Sequence, residues 1–126
     1  MTKHPTRILI AEDLEENRHA LRLLLKLAGF ACLEAADGRA AVEIALRERP
    51  ALVLMDLSLP VLDGLQAVRE LRAAGAQMPI IIVSAYDDAE TRARARAAGA
   101  HDYVTKPLDF ELLKKRIEAL LAAQPA

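Results

Sequence analysis

Five short aliphatic runs alternate along the chain with longer segments whose apolar residues recur at helical spacing. Three of the runs, "RILIA" (7–11), "ALVLM" (51–55) and "PIIIVSA" (79–85), are apolar nearly throughout, which is typical of parallel strands covered on both faces. Two more mixed runs, "ACLEA" (31–35) and "DYVTK" (102–106), complete the set. Strands that alternate with helices in this way predict an α/β fold, with a parallel sheet and helices on both of its faces.

The segments between the runs carry apolar stripes of helical period. The stripes are Leu21, Leu24, Leu25 and Ala28; Ala41, Ile44 and Ala45; Leu65, Val68 and Leu71; and Leu113, Ile117, Leu120 and Leu121. Asp109 precedes the last stripe and is predicted to cap that helix. In the remaining segment, 87–98, the predicted inward stripe is only Ala89, Ala93 and Ala97. We expect this fourth helix to be held loosely, because each alanine buries about three fewer carbons than leucine and so loses roughly 2 kcal/mol.

Size and composition limit what the chain can do. Its 126 residues fit a single domain, predicted to span 1–126. A formal net charge of -1 gives no sign of a nucleic acid or an acidic membrane as partner, and no apolar run approaches the roughly 20 residues of a membrane span. The single cysteine, Cys32, is predicted to be a buried core residue in a reducing, cytoplasmic setting, whereas His4, His19 and His101 are expected at the surface.

Charged and hydroxyl side chains follow four of the five predicted strands. These residues are Glu12, Asp13, Asp56, Ser84 and Lys106. Because ligands of such sheets lie outside the carboxyl ends of the strands, we expect these side chains to share one crevice. Three carboxylates and one ammonium carry a net charge near -2, which favours binding of a cation. Oxygen ligands without a nearby His or Cys favour magnesium over zinc, and Lys106 could hold an anion that also touches the metal, such as a phosphoryl group.

Four motifs, each at the end of a predicted strand, identify a family resemblance. They are "AED" after the first strand, "MDLSLPVLDG" after the third, "SA" after the fourth and "KP" after the fifth. In this order and at these intervals, the chain resembles a receiver domain of bacterial two-component response regulators over about residues 7–121. The resemblance implies a flavodoxin-like fold, a doubly wound five-stranded parallel sheet of order 2-1-3-4-5.

The resemblance also implies a role for each acidic residue and for the lysine. Asp56 would be the phosphoacceptor, taking a phosphoryl group from a phosphohistidine. Asp13 would bind Mg²⁺ directly, Glu12 would reach the ion through water, and the backbone carbonyl of Ser58 would complete the protein ligands. Lys106 would pair with a phosphoryl oxygen.

Other positions match the switching and structural residues of the family. The resemblance implies that the hydroxyl of Ser84 moves to bond the phosphoryl group and that the aromatic ring of Tyr103 then turns inward. It implies a cis peptide bond before Pro107, which fixes the loop after the fifth strand. Asp63 and Gly64 would form the turn into the third helix, where glycine allows a backbone conformation that other residues resist.

The function implied is a phosphorylation-dependent signalling switch rather than an enzyme, because the chain would catalyse only its own phosphorylation and slow dephosphorylation. The donor would be a sensor histidine kinase or a histidine phosphotransfer protein. The face made by the fourth helix, fifth strand and fifth helix would bind a downstream protein or a fused output domain, without direct nucleic acid or membrane contact. A phosphorylation-dependent homodimer and a place in a longer protein both stay open.

Two alternative functions also stay open. A degenerate receiver would bind partners without phosphorylation, although the intact acidic set disfavours this reading. A magnesium-dependent phosphatase of the haloacid dehalogenase type also uses an aspartate nucleophile after a strand. That class resembles D-x-D, however, and its second acid is replaced here by Ser58.

Overall fold

The computed structural model describes residues 4–124 and contains five strands that alternate with five helices. The strands are β1 (Arg7–Ala11), β2 (Ala31–Ala35), β3 (Leu52–Asp56), β4 (Ile80–Ser84) and β5 (Asp102–Thr105). The helices are α1 (Glu15–Leu27), α2 (Gly38–Glu48), α3 (Gly64–Ala73), α4 (Ala89–Ala98) and α5 (Phe110–Ala122). Each predicted strand is present within two residues of its predicted ends.

The strands form one parallel sheet of order β2-β1-β3-β4-β5, which confirms the predicted α/β doubly wound fold. Strands β3 and β4 are buried along their whole length, and β1 is buried beyond its first residue, which explains their nearly unbroken apolar sequences. The edge strands β2 and β5 are only partly buried and carry the more mixed sequences. Asp56 is the last residue of β3 and lies opposite Val83 of β4.

Alternate residues of each central strand enter two separate apolar layers, as the two-residue period of a strand requires. Leu9, Val53 and Ile82 belong to the layer covered by α2, α3 and α4. Ile10, Leu54 and Ile81 belong to the layer covered by α1 and α5. The helices therefore cover both faces of the sheet. None of the helices within residues 4–124 is long and apolar enough to cross a membrane.

Aspartate side chains cap four of the five helices. Asp37, Asp63, Asp88 and Asp109 each accept a hydrogen bond from the backbone N–H three residues further on. Such a cap satisfies an amide that has no partner within the helix. The N-cap predicted at Asp109 is confirmed, with a distance of 3.2 Å to the amide nitrogen of Leu112.

The apolar face of α4 differs from the predicted one. Ala89, Ala93 and Ala97 are exposed, whereas the buried residues of this helix are Ala95 and Ala98. The prediction failed because α4 contains alanine on two opposite faces, so that helical periodicity alone does not distinguish them. The expectation that the inward face of this helix presents only alanines to the core nevertheless holds.

Cys32 and the histidines also have defined environments. Cys32 lies on β2 and is half-buried rather than fully buried, because β2 is an edge strand, and burial raises the pKa of its thiol to about 11. His4, His19 and His101 are exposed, as predicted. The ring of His101 nevertheless makes a specific contact, since its Nδ1 lies 3.3 Å from the backbone nitrogen of Ile80.

Candidate functional site

The buried polar side chains of residues 4–124 lie at the carboxyl edge of the sheet. Glu12, which follows β1, is 8% exposed, Asp56 at the end of β3 is 5% exposed, and Ser84 at the end of β4 is 1% exposed. Because the strands are parallel, the residues at their carboxyl ends meet at one edge. Burial of polar groups costs free energy unless they are hydrogen-bonded, so these positions are not ordinary surface residues.

Lys106 joins the two buried carboxylates. Its Nζ lies 2.6 Å from Oδ2 of Asp56 and 3.3 Å from Oε1 of Glu12. Its backbone N–H donates to the carbonyl of Ser84 at 2.8 Å, and the bond that joins it to Pro107 is cis. Burial alone would lower the pKa of the ammonium, but the hydrogen bond and the charge of Asp56, together with Glu12, outweigh burial and raise the pKa above its ordinary value.

The backbone after β3 folds back on Asp56. Oδ1 of Asp56 accepts from the backbone N–H of Ser58 at 2.9 Å, so that both carboxylate oxygens have a donor. Gly64, the first residue of α3, lies directly against this strand end. A Cβ placed on it would lie 2.2 Å from the backbone oxygen of Asp56. The Asp63 side chain caps α3 through Gln66, at 2.9 Å. Absence of a side chain at position 64 therefore allows the loop to close tightly around Asp56.

The predicted metal ligands are only partly brought together. Glu12 faces Lys106, and its second oxygen, Oε2, accepts from the backbone N–H of Leu14 at 3.1 Å. Asp13 and Ser58 are exposed at the same edge of the sheet. Within residues 4–124, no three Asp, Glu, His or Cys side chains are grouped closely enough to hold a metal ion. The donor set of carboxylates fits a hard cation such as Mg²⁺, while in this structure Lys106 supplies the positive charge beside Asp56.

Ser84 and Tyr103 are linked through the backbone of Tyr86. The hydroxyl oxygen of Ser84 accepts from the Tyr86 N–H at 3.0 Å, and the phenol of Tyr103 donates to the Tyr86 carbonyl at 2.6 Å. Tyr103 is 8% exposed, so its ring is buried beneath α4. The side chain of Tyr86 is exposed.

Two arginines near this region were missed by the sequence analysis. The guanidinium carbon of Arg92 lies 4.7 Å from the centre of the Tyr103 ring, and the same guanidinium contacts Asp87 at 2.6 Å. Arg72 of α3 donates to the carbonyl of Gly99, at the end of α4. No motif marks either residue, because each contact joins two different elements of the fold.

A cleft of about 350 Å³ opens beside Asp56, between α1 and the loop that follows β5. Its lining is apolar except for four residues, Glu12, Asn17, Asp56 and Lys106. Three leucines of α1, Leu23, Leu24 and Leu27, are exposed, and Leu24 also lines the cleft. The acidic site therefore has an apolar surface on its α1 side.

The family model for the response regulator receiver domain matches residues 8–118. Among curated relatives, response regulator MprA of Mycolicibacterium vanbaalenii is 39% identical over 93% of this chain. The chain spans about half the length of that relative, 51%. Protein PilH of Pseudomonas aeruginosa is 40% identical over 92% of this chain and 98% of its own length.

Solved structures agree with the sequence comparisons. A receiver domain of a Francisella response regulator superposes with a TM-score of 0.89 at 27% identity, covering 94% of this chain and 98% of that one. The receiver domain of a sensor histidine kinase from Pseudomonas aeruginosa superposes with a TM-score of 0.88 at 34% identity, covering 95% of this chain and 100% of that one. That second structure has a magnesium ion coordinated in its active site cleft.

Proposed function

The chain belongs to the response regulator receiver domain family, and we propose that it is a signalling switch phosphorylated on Asp56. One observation carries this proposal: a buried carboxylate at the end of β3 has Lys106 Nζ 2.6 Å from one of its oxygens. An ammonium at this distance can bind a phosphoryl oxygen once Asp56 is modified. Asp56 lies on a rigid strand, which fixes the direction from which it can attack a donor.

The transfer step needs little beyond positioning and charge neutralisation. An Asp56 carboxylate oxygen attacks the phosphorus of a phosphohistidine, the P–N bond breaks, and its electron pair returns to the imidazole nitrogen. Lys106, which already contacts Asp56 and Glu12, stays beside the new acyl phosphate and bonds one of its oxygens. Neutralisation of the remaining negative charge is the chemistry that bound Mg²⁺ supplies. Asp13, Glu12, Asp56 and the backbone carbonyl of Ser58 are the residues that would hold the ion.

Ser84 and Tyr103 would transmit the effect of phosphorylation from Asp56 to the protein surface. The Ser84 hydroxyl accepts from the Tyr86 N–H, and Tyr103 donates to the carbonyl of the same residue. Movement of Ser84 toward a phosphoryl oxygen would break its bond to Tyr86 and so alter the segment that Tyr103 contacts. We propose that this alters the face of α4, β5 and α5, to which a downstream protein or a fused output domain binds, directly or through a homodimer.

The phosphodonor protein would approach over α1. A phosphohistidine must reach Asp56, so its protein must cover the rim of the cleft lined by Glu12, Asp56 and Lys106. Leu24 of α1 is exposed and lines the cleft, so it offers apolar surface beside this rim. We propose that a sensor histidine kinase or a histidine phosphotransfer protein binds there, and that residues 7–121 act as one receiver unit in the cytoplasm.

The test is phosphorylation by acetyl phosphate with Mg²⁺, followed by intact mass measurement. Wild type is expected to gain one phosphoryl group, Asp56→Asn none, and wild type with a chelator far less. Asp109→Asn is the matched control, because it makes the same chemical change at a helix cap, where asparagine also functions. Loss of the adduct in Asp109→Asn as well, or an adduct that persists in Asp56→Asn, would contradict the assignment.

The same experiment separates the alternatives. A degenerate receiver that binds partners without phosphorylation would give no adduct in any variant. A phosphatase would release inorganic phosphate continuously and would accumulate no adduct. Measurement of free phosphate beside the mass spectrum distinguishes these two outcomes.

A further inference from the structure

The buried position of Tyr103 is supported from outside by α4. Arg92 of α4 lies over the ring, with 4.7 Å between the guanidinium carbon and the ring centre. A guanidinium at this distance from an aromatic face makes a favourable cation–π contact. On the inner side, the phenol donates to the Tyr86 carbonyl at 2.6 Å. The ring is thus held at its edge by a hydrogen bond and on its face by a cation.

Arg92 in turn contacts an acidic residue. Its Nη2 and Nε lie 2.6 Å and 3.0 Å from Oδ1 of Asp87, a residue of the loop before α4. Such a paired contact restrains the planar guanidinium more than a single hydrogen bond would. Asp87, Arg92 and Tyr103 therefore form one contact set, which we name the tyrosine clamp.

Tyr103 is buried in a structure in which Asp56 carries no phosphoryl group and Ser84 contacts the backbone of Tyr86. The Ser84 hydroxyl accepts from the Tyr86 N–H at 3.0 Å, and its oxygen is therefore engaged by the backbone of the loop that follows β4. Lys106 at the same time contacts the carboxylate of Asp56 itself. The tyrosine is already buried while both site residues keep these contacts.

We propose that Arg92 is a positioning residue that, tethered by Asp87, holds Tyr103 buried before Asp56 is phosphorylated. The α4–β5 surface consequently has its arrangement with Tyr103 buried already in the unphosphorylated protein. The tyrosine clamp therefore reduces the change that phosphorylation causes in this surface. The part of this inference that concerns phosphorylation rests on the proposed function, whereas the position of the ring does not.

The first experiment measures the exposure of Tyr103 directly. The chain contains two tyrosines and no tryptophan, so Tyr86→Phe leaves Tyr103 as the only fluorescent residue of consequence. This background keeps the clamp, because Tyr103 bonds the backbone and not the ring of residue 86. Acrylamide quenching requires contact with the ring, and it therefore reports the fraction of molecules with Tyr103 exposed.

In that background, Arg92→Ala is expected to raise the quenching constant about two- to fivefold, the change that loss of one cation–π contact at an exposed site would give. Arg96→Ala is the matched control, because Arg96 is an exposed arginine one turn further along the same helix. It is expected to leave the constant unchanged. Equal quenching in Arg92→Ala and Arg96→Ala would overturn the proposal. Asp87→Asn is expected to give a smaller rise, and no rise would refute the tether.

The second experiment repeats the quenching after treatment with acetyl phosphate and Mg²⁺, with the adduct measured by intact mass in the same samples. Phosphorylation is expected to lower Tyr103 quenching less when Arg92 is present than in Arg92→Ala. An equal change in both proteins would contradict this role of the tyrosine clamp. If no adduct forms in any sample, the proposed function fails, while the first experiment still decides whether Arg92 holds Tyr103.

Discussion

Lys106 Nζ and Asp56 Oδ2 lie 2.6 Å apart, although the two residues are separated by 50 positions in the chain. Asp56 is almost fully buried, whereas about a third of the Lys106 side chain is exposed. Removal of one partner from such a pair leaves a buried charge without compensation. We expect Lys106→Ala to lower the free energy of unfolding by about 1–3 kcal/mol, less than for a fully buried pair because solvent screens the exposed part.

A double-mutant cycle in urea tests this coupling. If the pair is responsible, Lys106→Ala should cost much less in an Asp56→Asn background than in wild type. An equal cost in the two backgrounds would show that the lysine stabilises the fold through its contact with Glu12 or through packing of its methylene groups instead. The raised pKa of Lys106 means that its contribution is complete below about pH 10.5 and is lost as the pH rises through the folded pKa.

A side chain at position 64 is expected to destabilise the fold. A Cβ at this position would approach the backbone oxygen of Asp56 to 2.2 Å, and backbone cannot move aside as a flexible side chain can. Gly64→Ala should therefore lower the free energy of unfolding by about 2–3 kcal/mol and displace the end of β3, so that phosphorylation of Asp56 slows. Urea unfolding and the rate of adduct formation measure the two effects.

Gly75→Ala is the control for Gly64→Ala. Gly75 has φ +86° and nothing within 4 Å of a Cβ built on it, so alanine there incurs only the backbone cost of about 1 kcal/mol. It lies at the end of α3, away from Asp56, and should not alter the phosphorylation rate. A Gly64→Ala variant no less stable than Gly75→Ala would mean that the loop relaxes at little cost.

Val61 should be replaceable with a gain in stability. This β-branched residue has φ +69° in the loop between Asp56 and Gly64 and is 80% exposed. L-residues adopt this left-handed region at a cost of about 1–2 kcal/mol, and glycine avoids that cost. Glycine also makes the unfolded chain more flexible, which offsets part of the gain in stability. We expect Val61→Gly to raise the free energy of unfolding by about 0.5–1 kcal/mol. Val61→Ala keeps the unfavourable conformation and should show no such gain.

Much of the fold and the site could be predicted because both depend on patterns within short segments. The apolar runs fix the strands, and parallel strands must bring their carboxyl ends together, which places Glu12, Asp56 and Ser84 at one edge. Lys106 could be placed there for the same reason. The metal-binding roles of Asp13 and Ser58 stay predictions, since exposure at the same edge does not establish coordination.

The features that could not be predicted depend on contacts between segments. Alanines on two faces of α4 leave its orientation undetermined until neighbouring elements are known, and Ala95 rather than Ala93 is buried. Arg72 lies 27 positions from the carbonyl of Gly99 that it contacts. A long arginine side chain that contacts another element produces no periodic pattern in the sequence. The contact of Arg92 with Tyr103 could not be predicted for the same reason.

His101 should make stability depend on pH. His101 is exposed as a residue, but partial burial of its ring and the neighbouring Arg72 guanidinium lower the pKa of His101 below its ordinary value of 6.5. Its Nδ1 lies 3.3 Å both from the backbone nitrogen of Ile80 and from Nη2 of Arg72, two groups that can only donate, so a proton on Nδ1 would remove an acceptor and add a charge beside a cation. The unfolded chain therefore binds this proton more readily, and stability is lost as the pH falls below about 6.5 toward the folded pKa.

Urea unfolding of wild type and His101→Asn at about pH 7.5 and pH 5.5, on either side of the ordinary histidine pKa, measures this effect. The asparagine side-chain oxygen can accept from Ile80 but does not titrate. Wild type should lose more stability than the variant between the two pH values, because the other titrating groups are common to both. The same loss in both proteins would assign the pH dependence to other residues.

Helix α4 should open more readily than the rest of the fold, and Arg72 should limit that opening. The helix buries only Ala95 and Ala98, but Arg72 donates two hydrogen bonds, at 2.9 and 3.1 Å, to the carbonyl of Gly99 at its C-cap. We expect amide hydrogen exchange in α4 to be faster than in β1, β3 and β4, where the apolar side chains are buried. Loss of hydrogen bonds from a charged group costs about 1.5–3 kcal/mol.

Arg72→Ala should therefore accelerate exchange in α4 by about tenfold or more, since about 1.4 kcal/mol corresponds to a factor of ten. Arg69→Ala is the matched control, because Arg69 is an exposed arginine of the same helix α3. It should leave exchange in α4 as it is in wild type. Exchange in α4 as slow as in the central strands would contradict a loosely held helix, and equal effects of the two substitutions would show that Arg72 does not hold it.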